Sequence, residues 1–322
     1  MVAVPQPFEI AQYTMEFNTT FEGLLQQVVS RFRGMVDSRG YKGRTAAAVN
    51  QIGALQFKMP AGRYSPLQFQ IAQYTRPWVQ PVDRSLTVPF DGFDELKSVA
   101  DPKAAISQMV VAAGNRFFDD LIIAAALGTT QRGQDPGSWT AETFPSTVST
   151  STSASAPFGG WLVADTFGSG ASVGLTYNKL REARRVLEHY ENDLRAESVN
   201  LATGSQQNSD LLGQIQVIDK RFNDQPVVER GIVTDILGCN IVTSERLQTS
   251  SSNSLRNNLL WIRSGLHLGI WKDMSTRIDN RQDLESQPWQ LYSMISAGAI
   301  RTQLGKVIQI NNADTTGVDI TP

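Results

Sequence analysis

The stretch that most constrains this chain is Asp101–Gly128, DPKAAISQMVVAAGNRFFDDLIIAAALG. Asp101 is a favoured N-cap residue, and Pro102 suits the first helical position, where no amide N–H is needed. Gly128 can close the far end in the left-handed conformation. The roughly 26 residues between hold no second proline, so they read as one helix about 39 Å long. Ile106, Met109, Val110, Ala113, Phe117, Leu121 and Ala124 recur at helical spacing and are expected to face a core. Lys103, Gln108, Asn115, Arg116, Asp119 and Asp120 interrupt that face or lie off it. The helix is longer than usual in a globular domain and reads as a spine on which flanking pieces hang.

Before the spine, residues 1–44 form an N-terminal arm. It starts extended and polar, then reaches FNTTFEGLLQQVVSRFRG (Phe17–Gly34), which reads as a short amphipathic helix with Phe21, Leu24, Leu25, Val28, Val29 and Phe32 on its apolar face. The arm has too few apolar residues to fold alone and should lie across another surface.

Residues 45–90 have strand texture. Leu55, Phe57 and Met59 alternate with Gln56 and Lys58, PAGRYSP turns, and Leu67, Phe69 and Ile71 alternate again. An isolated hairpin is marginal in water. No covering helix adjoins this one in sequence, so it is expected to pack on a neighbouring copy.

After the spine, residues 129–174 are rich in Gly, Ser, Thr and Pro and read as a surface loop, with Trp161–Phe167 a strand inside it. Residues 175–254 have αβ texture. Thr176 caps a helix through Leu194, with Leu180, Ala183, Leu187, Tyr190 and Leu194 inward and Arg181, Glu182, Arg185 and Glu188 outward. Val199–Ala202 reads as a strand, Ser209–Phe222 as a second helix, and Gly231–Ser244 as a turn and strand. Residues 255–322 return to strands and end in a loose tail. Trp289, Leu291, Ser293, Ile295 and Ala297 share one strand face, the natural cover for the spine.

Composition excludes several classes. A net charge of −2 over 322 residues gives no case for an overall nucleic-acid-binding surface. The single cysteine, Cys239, rules out an internal disulfide framework and sits in an apolar run, ILGCNIV, as a buried thiol does. No stretch approaches the roughly 20 apolar residues that span a bilayer. The N-terminus lacks a signal-peptide pattern, so synthesis in the cytoplasm is expected.

Enzyme signals are sparse. His189 and His267 are isolated and give no metal-ligand spacing. Gly170-Ala171-Ser172-Val173-Gly174 matches G-x-S-x-G with His267 downstream, which makes Ser172 the one serine-hydrolase candidate. It follows a soft Gly-Ser loop and not a strand end. No phosphate-cradling P-loop or dinucleotide motif is present. The acidic turn DGFDE (Asp91–Glu95) reads as solvated.

The order of pieces carries a resemblance. RFFDDLIIAAALG (Arg116–Gly128), LTYNKLREARRVLE (Leu175–Glu188), IVTDILGCNIVTSERL (Ile232–Leu247), WIRSGLHLGIWKDMSTRID (Trp261–Asp279) and YSMISAGAIRTQLGKVIQI (Tyr292–Ile310) follow one another as in the major capsid proteins of tailed bacteriophages with the HK97-type fold. The resemblance covers nearly the whole chain. It implies an α+β fold with an N-arm (1–44), an E-loop hairpin (45–90), a P-domain spine helix (91–128), a Gly/Ser/Thr-rich loop (129–174), an A-domain (175–254) and P-domain strands with a C-terminal tail (255–322). It implies pentamers and hexamers in an icosahedral virion shell enclosing double-stranded DNA, without catalysis or cofactor. A separate scaffolding protein, a portal and a decoration protein are the partners it suggests. Candidate subunit contacts are Phe21, Leu25, Phe57, Arg63, Phe69, Arg76, Trp78 and Arg84. The type member of the fold joins subunits through an E-loop lysine and a P-domain asparagine. Lys58, Asn257, Asn258 and Asn280 fall in those regions but match no cross-linking motif. An encapsulin-like compartment of the same fold, holding protein cargo, is the alternative.

Overall fold

A computed structural model describes residues 26–59, 62–63, 66–67, 69–90, 103–135, 137–146, 160–168, 170–214, 235–249, 255–283 and 288–314. In chain order the elements are β1 (Asp37–Gly40), β2 (Ala46–Ala47), β3 (Gln51–Ile52), β4 (Tyr74–Val79), β5 (Val82–Phe90), α1 (Lys103–Leu127), β6 (Thr130–Gly133), β7 (Thr140–Glu142), β8 (Leu162–Val163), α2 (Tyr177–His189), β9 (Val199–Thr203), α3 (Ser205–Leu212), β10 (Asp235–Ile236), β11 (Cys239–Thr243), β12 (Leu255–Ile262), β13 (Leu266–Asn280), β14 (Trp289–Arg301) and β15 (Val307–Ala313).

Three sheets form. A six-stranded sheet runs β10-β11-β9-β12-β15-β8, a four-stranded sheet runs β1-β13-β14-β5, and a smaller one runs β2-β4-β6-β7 with β3 on β4. β12 lies between the two larger cores. Its alternate side chains point to opposite faces. Leu260 and Ile262 meet Leu180, Ala183, Val186 and Leu187 of α2, while Leu259 and Trp261 meet Phe118, Ile122 and Ala126 of α1. The part of this strand that is buried on both faces, Asn258–Ile262, is apolar except for Asn258, as a doubly covered strand should be.

The spine helix forms as expected. Its cap at Asp101 and Pro102 lies outside the described residues. Two expectations about it are corrected. The buried face is Val110, Ala112, Phe118, Asp119, Ile122, Ile123 and Ala126, so of the residues expected inward only Val110 is fully buried and Ala124 is exposed. The helix is covered on two sides, by the sheet and by residues 26–36, so no single stripe describes it. Gly128 is not left-handed either. A Cβ there would stand 2.6 Å from the Ala124 carbonyl oxygen. The closing carbonyls are met instead by Arg301, whose Nη1 donates to Ala126 O at 2.7 Å and Gly128 O at 3.0 Å.

The expected N-arm helix is absent from the described part of its range. Residues 26–32 are irregular, and Arg33–Met35 makes one 3-10 turn. The amides of Arg31 and Phe32 bond to the Asp119 carboxylate, which takes the donors a helix would use. Phe32 is buried edge-on to Trp261, whereas Val28 and Val29 are exposed.

Within the described part of residues 129–174, β6 and β7 extend the small sheet and β8 adds to the six-stranded one, while the run Ser146–Ala156 falls almost wholly outside the described residues. Thr176 caps α2 as expected, its hydroxyl accepting from Lys179 N at 3.3 Å. The helix ends at His189 and not Leu194, since Glu191 turns left-handed at φ 55°. Glu182, expected outward, is 9% exposed and bonded to Arg185. The next helix starts at Ser205, four residues earlier than expected, where the Gln207 side chain accepts from Gly204 N–H and Glu245 accepts from Ser205 N–H. It ends at Leu212, with Gly213 as C-cap.

Candidate assembly surface

The 45–90 excursion is anchored firmly at its base. Ala46 and Ala47 pair with Val79 and Trp78, Gln51 and Ile52 with Thr75 and Tyr74, and Arg76–Trp78 with Gln131–Gly133. Trp78, a candidate contact residue, is 8% exposed and donates from its indole N–H to Gly133 O at 3.1 Å. Its surface is spent inside its own chain. Arg76 is half-buried on the same strand.

Beyond that base the expected strands at Leu55–Met59 and Leu67–Ile71 do not form a ladder among the described residues. Gly53 N–H donates to Gln73 O at 2.7 Å. Farther out the arms are held by side chain against backbone, Gln70 Nε2 donating to Gln56 O at 2.7 Å and Gln56 N–H to Gln70 Oε1 at 3.2 Å. The large apolar side chains here stand in solvent: Leu55, Phe57, Met59, Leu67, Phe69 and Ile71 are all at least 61% exposed. Single exposed apolar residues are ordinary, but a contiguous set marks an interaction surface. Of the other candidates, Arg63 and Arg84 are exposed. Phe21 and Leu25 lie outside the described residues.

An apolar groove of about 200 Å³ lies between α1 and the four-stranded sheet, lined by Leu86, Val110, Ala113, Phe117, Met274 and Ile295 among others. The far half of that sheet leaves Leu86, Ile278 and Trp289 exposed.

The hydrolase candidates are not assembled into a site. His267 is 1% exposed. Its Nδ1 lies 3.1 Å from Asp37 Oδ2 and its Nε2 lies 2.8 Å from the Tyr41 hydroxyl, so both ring nitrogens are engaged. Burial holds its pKa below the usual histidine value, against the opposing pull of Asp37. Ser172 is exposed in the loop before α2. His189 is exposed and packs edge-on to Tyr190. Cys239 is buried, and burial pushes its pKa up to about 11, which keeps the thiol protonated and inert. Among the described residues no group of His, Cys, Asp or Glu could hold a metal, and no helix is long and apolar enough to cross a membrane. Lys58 and Asn280 are exposed, Asn257 is half-buried, and Asn258 is sealed within the six-stranded sheet.

Three buried ionic residues escape a reading of periodicity: Asp119, Lys179 and Arg301, each 0% exposed. For Asp119 and Arg301 the one signal is a charge set inside an apolar run, FFDDLII and AGAIRT; Lys179, in TYNKLREA, has no such signal.

The sequence matches the model of the family described as phage capsid protein over residues 10–314. No curated protein matches it. Among solved structures, the capsid of cyanophage Pam1 superposes with a TM-score of 0.69 at 14% identity, covering 96% of this chain and 98% of that one. The capsid of cyanophage P-SCSP1u gives 0.67 at 15% identity, covering 95% and 94%. The capsid of Ralstonia phage GP4 gives 0.62 at 12% identity, covering 100% of each. The fold is thus the α+β, HK97-like capsid fold, and this chain belongs to the phage capsid protein family.

Proposed function

We propose that this chain is the major capsid protein of a tailed phage, assembling into pentamers and hexamers of an icosahedral shell around double-stranded DNA. In this reading residues 45–90 are the E-loop, 91–128 and 255–312 the P-domain, and 175–254 the A-domain. Its role is structural and involves no catalysis or cofactor. Scaffolding, portal and decoration proteins are its expected partners in the host cytoplasm, where the virion is built.

The observation that carries the reading is the row of exposed apolar side chains on an arm whose base is hydrogen-bonded into the small sheet. Each such side chain gains about 1.5–3 kcal/mol when fully buried. Six of them supply on the order of 10 kcal/mol per arm before ordering costs, ample for a contact repeated around a closed shell.

Negative-stain electron microscopy tests this, with the chain expressed alone and together with its neighbouring genes. Closed shells or capsomer rings are expected. Monomers or dimers under both conditions would overturn the reading. Deleting Ala61–Ser65 should leave a soluble subunit that assembles poorly, and normal shells from it would remove the E-loop assignment. DNA inside particles from the native source, and not protein cargo, separates a virion from an encapsulin-like compartment.

A further inference from the structure

Asn258 on β12 and Thr203 on β9 are both 0% exposed. Among the described residues, neither the amide oxygen and nitrogen of Asn258 nor the Thr203 hydroxyl has a hydrogen-bond partner. The two residues are neighbours. β9 and β12 run antiparallel with Leu260 opposite Leu201 and Leu259 opposite Ala202, so the next rung sets Asn258 opposite Thr203. Directly opposed side chains in such a ladder stand about 5 Å apart at Cβ. Alternation puts both on the α2 side of the sheet, Asn258 in line with Leu260 and Ile262, and Thr203 in line with Val199 and Leu201. Other wholly buried polar side chains of this unit are paired. Lys179 donates to Asn312 Oδ1 at 3.2 Å, and Gln207 accepts from Gly204 N–H and donates to Asp314. A buried polar group without a partner is costly, and internal waters sit where two to four such groups converge.

We infer that Asn258 and Thr203 form a binding site for an internal water that bridges β9 and β12. The chemistry selects water over an ion. Asn258 presents an acceptor at Oδ1 and a donor at Nδ2, so a cation would leave the amide nitrogen unpaired and an anion would leave the oxygen unpaired. Water donates and accepts at once, and the threonine hydroxyl can turn to do either. A cation is disfavoured further by Lys179. Its ammonium is bonded to Asn312, two residues along β15 from Ile310, the other partner of Asn258. The site also has a task in the fold. β12 separates the α1 core from the α2 core, and a slip by one residue would turn Asn258 to the α1 face, away from Thr203. The water is therefore held only in the native register of the strand that both cores share. This inference does not depend on the capsid reading.

A high-resolution density map of the full chain, from crystals or from assembled particles, tests the site directly. An isolated peak is expected within about 2.7–3.2 Å of Thr203 Oγ1 and of the Asn258 amide. A direct Asn258–Thr203 hydrogen bond with no peak between them would overturn the inference. A peak ringed by oxygens alone, the shell of a metal cation, would overturn it as well. Thermal unfolding of near-isosteric variants gives a second readout. Thr203→Val and Asn258→Leu should each melt below wild type, because each strands the polar atoms that remain. The double variant removes all three polar atoms and should lose less than the two single losses combined. Losses that simply add would show that the two side chains share no bound water, and would overturn the inference.

Discussion

The carboxylate of Asp119, in the middle of α1 and wholly buried, accepts a hydrogen bond from the Ser30 hydroxyl at 2.6 Å. The same carboxylate accepts from the amides of Arg31 at 2.9 Å and Phe32 at 3.2 Å, and from the Gln27 side chain. Asn115 adds a bond to Val28 O at 2.8 Å. One acidic residue on the spine thus binds residues 27–32 to the helix and delivers Phe32 to the core. A buried charge is tolerated only when hydrogen-bonded, and here four donors meet it.

Asp119→Ala leaves the buried Phe32 amide, the part-buried Arg31 amide and the Ser30 hydroxyl without their acceptor, at about 1–3 kcal/mol for a buried group and less for a wetter one. The subunit should lose on the order of 3 kcal/mol in denaturant unfolding, and hydrogen exchange should accelerate in residues 27–36. Slow exchange there in the variant would show that Phe32 alone holds the segment.

Arg301 closes the C-terminus of α1 and reaches Glu142 O at 3.3 Å, with its guanidinium over the Phe144 ring. Burial pulls its pKa down to about 10, which still leaves it charged at neutral pH, as a helix C-terminus favours. Arg301→Met should destabilise by roughly 3 kcal/mol through orphaned carbonyls, and Arg301→Lys by less. Equal losses from the two variants in thermal unfolding would mean that the fork geometry matters and the charge alone does not.

Lys179 is buried under α2, its Nζ donating to Val173 O at 2.8 Å, Asn311 O at 3.1 Å and Asn312 Oδ1 at 3.2 Å. Burial lowers its pKa from 10.5 to about 8. Between those values the unfolded chain holds the proton and the folded chain does not, so this group makes stability rise with pH over that window. The contribution is complete above 10.5 and is lost as pH falls through about 8. Lys179→Met should abolish that rise when melting is followed across the window, while lowering stability at pH 7 by about 2 kcal/mol through its three lost acceptor partners.

His267 follows the same sign in acid. Its folded pKa lies below 6.5, chiefly through burial, so as pH falls below 6.5 the unfolded chain protonates first and stability drops. His267→Gln should flatten that acid limb. Tyr41→Phe should keep it, because the ring stays buried beside Asp37. An acid limb unchanged in His267→Gln would assign it to the carboxylates.

Phe57→Ser/Phe69→Ser should leave the unfolding of the isolated subunit within about 0.5 kcal/mol of wild type, since exposed substitutions seldom do more. Assembly should be largely lost. A clear drop in subunit stability would show that the arm packs on its own chain.

What the sequence settled by itself was local. The spine helix, the Thr176 cap, the β9 and β14 strands and the apolar excursion were legible, because helical spacing, a hydroxyl before a helix and strict alternation are properties of neighbouring residues. The order of those pieces was enough to suggest the family. Tertiary structure decided the rest. Residues 26–32 lost their helix to a carboxylate some ninety positions away, Gly128 yielded its capping role to Arg301 on another strand, and Trp78 turned from a candidate contact into a buried anchor against Gly133. In each case the deciding partner is distant in sequence, and a buried polar group takes whichever partner the packed chain brings within hydrogen-bond reach.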